Sequence, residues 1–189
     1  MNKKHFGDSY DIVKKSLLCW LSEFGPWAGH PMFTDRWGKS AAEEFARLLA
    51  IPLISTARLT AGCDRRKYFA CCRDYPNSLF LDPDTGVRMK RSGRLARYLY
   101  ANELIELTKC RPNSLTLTFD QSLARGREQG QIREKLKHFR SKGLHEFAYV
   151  SHASIVVLGC AADLVKEAQE QVLRQSGLPR NRIMASRDS

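Results

Sequence analysis

Hydrophobic positions along the chain follow two rhythms. In "GDSYDIVKKSLLCWLSEFGP", Ile12, Val13, Leu17, Trp20, Leu21 and Phe24 recur at helical spacing. This predicts an amphipathic helix with those side chains toward the core. Asp8 or Ser9 can cap its start, and Gly25-Pro26 stops it. "WAGHPMFTD" then reads as a short strand ending at Asp35, and "GKSAAEEFARLLA" as a second helix. The β-branched "IPLISTARL" reads as another strand.

"DRRKYFACCRDY" reads as helical and leads to the apolar strand Leu79 to Leu81. After a basic loop, "RYLYANELIELTKC" predicts a helix, "NSLTLTFDQS" a strand and "REQGQIREKLKHFRSKG" a charged amphipathic helix. "HEFAYVSHASIVVLG" reads as two strands joined near Ser151-His152-Ala153, too close for a crossover helix and therefore antiparallel. "AADLVKEAQEQVLRQSG" is the last predicted helix. The pattern predicts one three-layer α/β domain over residues 1–178, with a mostly parallel sheet, a C-terminal antiparallel hairpin and a mobile tail over 179–189.

In such a sheet, ligands gather at the carboxyl ends of the strands. Asp35 and the "LDPDTG" acids Asp82 and Asp84 fall at predicted strand ends and are candidates to line one crevice. Asp, Pro and Gly are also turn formers, so a plain turn accounts for "DPDTG" equally well. If functional, Asp82 and Asp84 could chelate Mg²⁺ with substrate phosphates, with Asp35 or Asp8 as a third ligand, as in a nuclease or phosphodiesterase. Asp8 suits a helix cap better. Lys14 could pair with Asp35 or hold a phosphate. His152 lies beside Ser151, but no acid is placed to complete a hydrolytic triad.

The net charge of +11 favours polyanions, nucleic acid before membrane. The segment "RMKRSGRLAR" places Arg88, Lys90, Arg91, Arg94 and Arg97 directly after the paired acids, where they suit phosphate-backbone contacts. The mixed charges of "RGREQGQIREKLKHFRSK" read as an exposed helix face. Six cysteines and five histidines show no zinc-ligand spacing, and Cys19 and Cys160 read as core thiols in a reducing compartment. With no apolar run of membrane-spanning length and no secretory pattern, a cytoplasmic protein is expected.

Together, "FGDSYDIVKKSLLCWL", "MFTD", "LFLDPDTGV" and "RYLYANEL" resemble a little-characterised bacterial family with G-D-x-x-D-x-x-K, D-P-D-[NT]-G and Y-L-x-x-x-E-L motifs, over roughly residues 6 to 158. More distantly the plan resembles the ribosomal-RNA adenine-N6 methyltransferase family, whose D-P-P-Y stands where this chain has Asp82-Pro83-Asp84-Thr85. That resemblance implies a Rossmann-like methyltransferase fold and S-adenosylmethionine held near Asp8, Lys14 and Asp35. In that reading Asp82 accepts a hydrogen bond from the amino group of a target base; across the readings the candidate catalytic acids are Asp82, Asp84 and Asp35. This chain departs from the pattern at "RWGKS", which has Gly38 alone instead of a glycine-rich turn, and at Asp84, which replaces the second proline. Three functions stay open: a methyltransferase-like enzyme, intact or degenerate; a Mg²⁺-dependent nuclease; and a non-catalytic nucleic-acid or partner-binding module.

Overall fold

The computed structural model describes residues 3–90 and 96–186. Its centre is a mixed six-stranded sheet built from β1 (Trp27–His30), β2 (Ser78–Leu81), β5 (Thr116–Asp120), β6 (His145–Val150), β7 (Ser154–Gly159) and β8 (Ile183–Met184). Their spatial order is β1-β2-β5-β7-β6-β8. The first three neighbours pair parallel, while β7 is antiparallel to both β5 and β6, and β8 is antiparallel to β6. A second, two-stranded parallel sheet joins β3 (Gly86–Arg88) to β4 (Tyr98–Tyr100).

Alternation along each strand sends side chains to two separate cores. On one face Phe80, Leu117, Phe119, Phe147, Ile155 and Val157 pack beneath α1 (Ser9–Trp20), α2 (Lys39–Leu49) and α7 (Ala162–Ser176). On the other, Leu79, Leu81, Ala148, Val156 and Leu158 meet α5 (Ala101–Lys109) and α6 (Glu128–Ser141), together with the short α3 (Arg65–Tyr68) and α4 (Ala70–Asp74). Helices therefore cover both faces, and buried strands can read as continuous apolar runs. No helix among the described residues is long and apolar enough to cross a membrane.

Several expected boundaries move. The strand expected to reach Asp35 ends at His30, because Pro31 lacks a ladder donor and Met32 takes φ +47°. "IPLISTARL" is not a strand. It contributes a single bridge from Leu53 to Gly29, flanked by Gly29 N–H donating to the Pro52 carbonyl and Ile54 N–H donating to the Gly29 carbonyl. "DRRKYFACCRDY" breaks at Phe69 into α3 and α4, and the first three residues of the "YLYANEL" segment form β4. Within the expected tail, Arg180–Arg182 form a 3-10 turn, and Ile183 and Met184 pair with Tyr149 and Ala148.

Helix α1 is rotated from the expected face. Ile12 is 53% exposed and Cys19 is exposed, whereas Asp11, Lys14, Leu17, Leu18 and Leu21 are buried. Val13, Trp20 and Phe24 pack at the core's edge. Two charged side chains occupy the inward stripe, which requires a buried partner for each.

Candidate functional site at the strand ends

The two conspicuous motifs of the sequence meet. Gly7, at φ +79°, turns the chain so that its N–H donates to Asp11 Oδ2 at 2.8 Å. Asp8 caps α1, accepting from the N–H groups of Tyr10 and Asp11. One turn on, Lys14 Nζ donates to Asp11 Oδ1 at 2.9 Å and reaches Asp82 Oδ2 at 3.0 Å and Oδ1 at 2.9 Å. The Phe119 ring lies 4.4 Å from the ammonium. Asp11, Lys14 and Asp82 are all buried. Lys14 therefore pairs with Asp82, not with Asp35.

Burial works to lower the Lys14 pKa, but the Asp82 and Asp11 carboxylates outweigh it and the net shift is upward. Burial lifts Asp82, with the Lys14 ammonium opposing. The three charges sum to −1 when all are ionised, in a chain whose excess is positive.

Asp84 faces the same recess. It accepts from Arg97 Nε at 2.9 Å, and its side chain is 5% exposed against 64% for Arg97. The recess is lined by His5, Tyr10, Asp82, Asp84, Phe119 and Gln121 among others, and its volume is about 20 Å³. That is room for a water-sized group, far below the roughly 300–1,000 Å³ of a small-molecule site. Asp35 is not part of it; its carboxylate accepts from the Lys3 N–H at 3.3 Å.

A second buried lysine closes the end of the next strand. Lys135 Nζ donates to Asp120 Oδ2 at 2.6 Å, the Val87 carbonyl at 2.8 Å and Ser122 Oγ at 2.9 Å. Asp120 Oδ1 accepts from Val87 N–H, Ser122 N–H and Ser122 Oγ. Gly86, at φ +130°, has no room for a Cβ beside Asp120 Oδ1. The expected exposed face of α6 is thus corrected: Lys135 is buried, and Arg140 reaches buried Glu146 at 3.2 Å.

Of the basic loop, Arg91 and Arg94 lie outside the described residues. Lys90 is exposed, and Arg88 stacks its guanidinium 5.2 Å from the Tyr98 ring. A larger concavity, of about 710 Å³, opens at the end of β6. Arg125, Arg182, His152, Gln129 and Tyr149 line it, with Glu128 as the acid among them. Register places it on the same edge of the sheet as Asp120, since Val150 and Asp120 both pair with Ser154.

Sequence reasoning missed Lys135, Asp120 and this groove. A signal existed for the first: Ile132, Lys135, Leu136 and Phe139 share one helical stripe. The chain matches no family model, no curated protein and no solved structure.

Proposed function

We propose that the protein binds nucleic acid along the carboxyl-end edge of its sheet, with the Lys14–Asp82 network as the fixed floor of that edge. The observation that carries this reading is the 710 Å³ groove, with Arg125, Arg182 and His152 on the rim. The groove is open enough for a strand of phosphates, and the chain carries +11 overall. Arg88 over Tyr98 supplies a cation beside an aromatic plane on the Asp84 side. These groups position a backbone without reading its sequence.

A methyltransferase-like reading has its own support. Asp82-Pro83-Asp84 follows the middle of three parallel strands, and the antiparallel β6–β7 hairpin extends the sheet beyond β5. It requires the recess beside Asp82 to open for adenosylmethionine, and it requires Lys14 to release a carboxylate both of whose oxygens it holds. The divalent-cation reading has less support, because the Lys14 ammonium already compensates Asp82.

Anisotropy titrations with labelled single-stranded and duplex RNA and DNA test the proposal. Affinity should fall with salt, and Arg125→Gln with Arg182→Gln should flatten the log–log slope by about 0.7–0.9 for each phosphate no longer neutralised. No binding at low salt would overturn it. Adenosylmethionine that raises the melting temperature by mass action would favour the methyltransferase-like reading.

A further inference from the structure

On the face of the sheet opposite Lys14, β1 ends in His30, whose imidazole is completely buried. Neither ring nitrogen has a hydrogen-bond partner among the described residues. A neutral imidazole carries one N–H donor and one lone pair, so leaving both unpaired in the interior is costly. Tyr68 meets the ring edge-on at 4.9 Å and Phe69 lies 5.6 Å away, so two walls are aromatic. The thiols of Cys71 and Cys72, both on α4, also lie beside the ring. One ligand atom from each of His30, Cys71 and Cys72 lies within 4.8 Å of the other two.

We propose that His30, Cys71 and Cys72 form a binding site for a thiophilic d¹⁰ cation, Zn²⁺ or Cu⁺. Zinc–sulfur and zinc–nitrogen bonds of about 2.3 and 2.0–2.1 Å place the donors around one ion roughly 3.5–3.8 Å apart. The donors, all within 4.8 Å of one another, must close by up to about 1 Å to reach that geometry. Two thiolates and an imidazole are a soft set suited to these ions and unsuited to Mg²⁺. The ion would take the lone pair that the buried His30 ring now leaves unused. Binding releases a proton from each thiol to solvent, and no redox step is involved. Buried Arg111, whose Nη1 donates to the Cys72 carbonyl at 2.5 Å, sets a fixed cation beside the thiolates. Cys71 is half-buried, so the site has an entrance. Three protein donors leave a zinc ion one open position, whereas Cu⁺ is content with three.

The site also touches the proposed nucleic-acid edge through the backbone, because the Asp82 N–H donates to the His30 carbonyl at 3.1 Å. The test is independent of nucleic acid. Reduced, metal-free full-length protein is titrated anaerobically with Zn²⁺ and, separately, with Cu⁺, each in competition with a chromogenic chelator. One equivalent of one ion should be retained, and the preferred ion separates the two forms of the site. Co²⁺ in place of zinc should show thiolate-to-metal charge-transfer absorption. Cys71→Ser should weaken retention by more than the roughly 10–100-fold typical of losing an outer-shell partner, and His30→Gln should do the same. Exposed Cys19→Ser and Cys110→Ser should leave it unchanged. Cys71→Ser is the decisive variant because its half-buried position tolerates the change without unfolding. Failure of both ions to bind stoichiometrically would overturn the proposal, as would full retention in Cys71→Ser.

Discussion

Two buried lysines in this molecule close the ends of two adjacent parallel strands, and they do so differently. Lys135 spends its three protons on a carbonyl, a hydroxyl and a carboxylate, and Asp120 opposite is saturated by backbone and side-chain donors. That cluster ties α6 to β3 and β5. Lys14 instead divides one positive charge between two carboxylates, and it does so at the wall of a recess that Asp84 and Gln121 also line. The first arrangement is a scaffold with every polar atom assigned. The second has two buried carboxylates sharing one ammonium beside a small opening, on an edge whose groove is lined by Arg125 and Arg182. Buried polar clusters of the first kind rigidify, while those of the second kind are where a ligand could change the balance.

The largest effect should come from removing the Lys135 charge. Lys135→Met strands the Asp120 carboxylate in the core, and breaking a buried pair in this manner costs about 3–5 kcal/mol. Urea unfolding followed by circular dichroism measures it. A loss below about 1 kcal/mol would show that Asp120 finds water or protonates easily, and the scaffold assignment would fail.

Next in size is the contrast between Asp120→Asn and Asp82→Asn. In Asp120→Asn, keeping the amide oxygen toward Val87 and Ser122 aims the amide NH₂ at the Lys135 ammonium. Asp82→Asn leaves Lys14 paired with Asp11 and still able to donate to the amide oxygen. Losses of about 3 kcal/mol for the first and about 1–2 kcal/mol for the second are expected. Equal losses would mean that Asp11 does not share the lysine.

A third effect is confined to alkaline pH. The folded Lys14 pKa lies above the ordinary lysine value of 10.5. The stability it contributes is therefore complete below that value and is lost as pH rises through the folded pKa. The triple variant Asp11→Asn, Lys14→Met, Asp82→Asn lacks the titrating cluster. At alkaline pH the parent should lose stability relative to it once pH rises above about 10.5, as Lys14 deprotonates. A constant difference in urea midpoint across that range would refute the charged cluster.

Most of the architecture is legible in the sequence because burial and periodicity coincide. Leu79–Leu81, the hairpin strands and the helices near residues 101–109, 128–141 and 162–176 follow directly from apolar spacing. Periodicity misleads where polar residues sit inside that spacing. Asp11, Lys14, Leu18 and Leu21 form the inward stripe of α1, just as Ile132, Lys135, Leu136 and Phe139 form that of α6. A rule that sends charges outward turns the first helix toward Ile12 and leaves Lys135 in solvent. Strand ends suggest the meeting of the G-D-x-x-D-x-x-K and D-P-D motifs, but the partner assignment needs three dimensions: Lys14 and Asp82 are 68 positions apart. The His30–Cys71–Cys72 cluster has no sequence signal at all, since its histidine ends β1 and its thiols belong to α4.

The smallest expected stability effect belongs to Arg97, and it separates the rim from the floor. Its pair with Asp84 joins a side chain 64% exposed to one 5% exposed, so solvent screens it on one side. Arg97→Gln should change unfolding free energy by less than about 1 kcal/mol. If the edge binds nucleic acid, the same substitution should weaken binding of every sequence alike and reduce the salt slope by up to about 0.9. A large loss of stability would place Arg97 with Lys135 as scaffold. Unchanged stability with unchanged binding would confine the nucleic-acid surface to the Arg125 and Arg182 groove, away from Asp84. Small stability change with a flattened salt slope is the outcome that joins the groove and the Asp82–Asp84 rim into one surface.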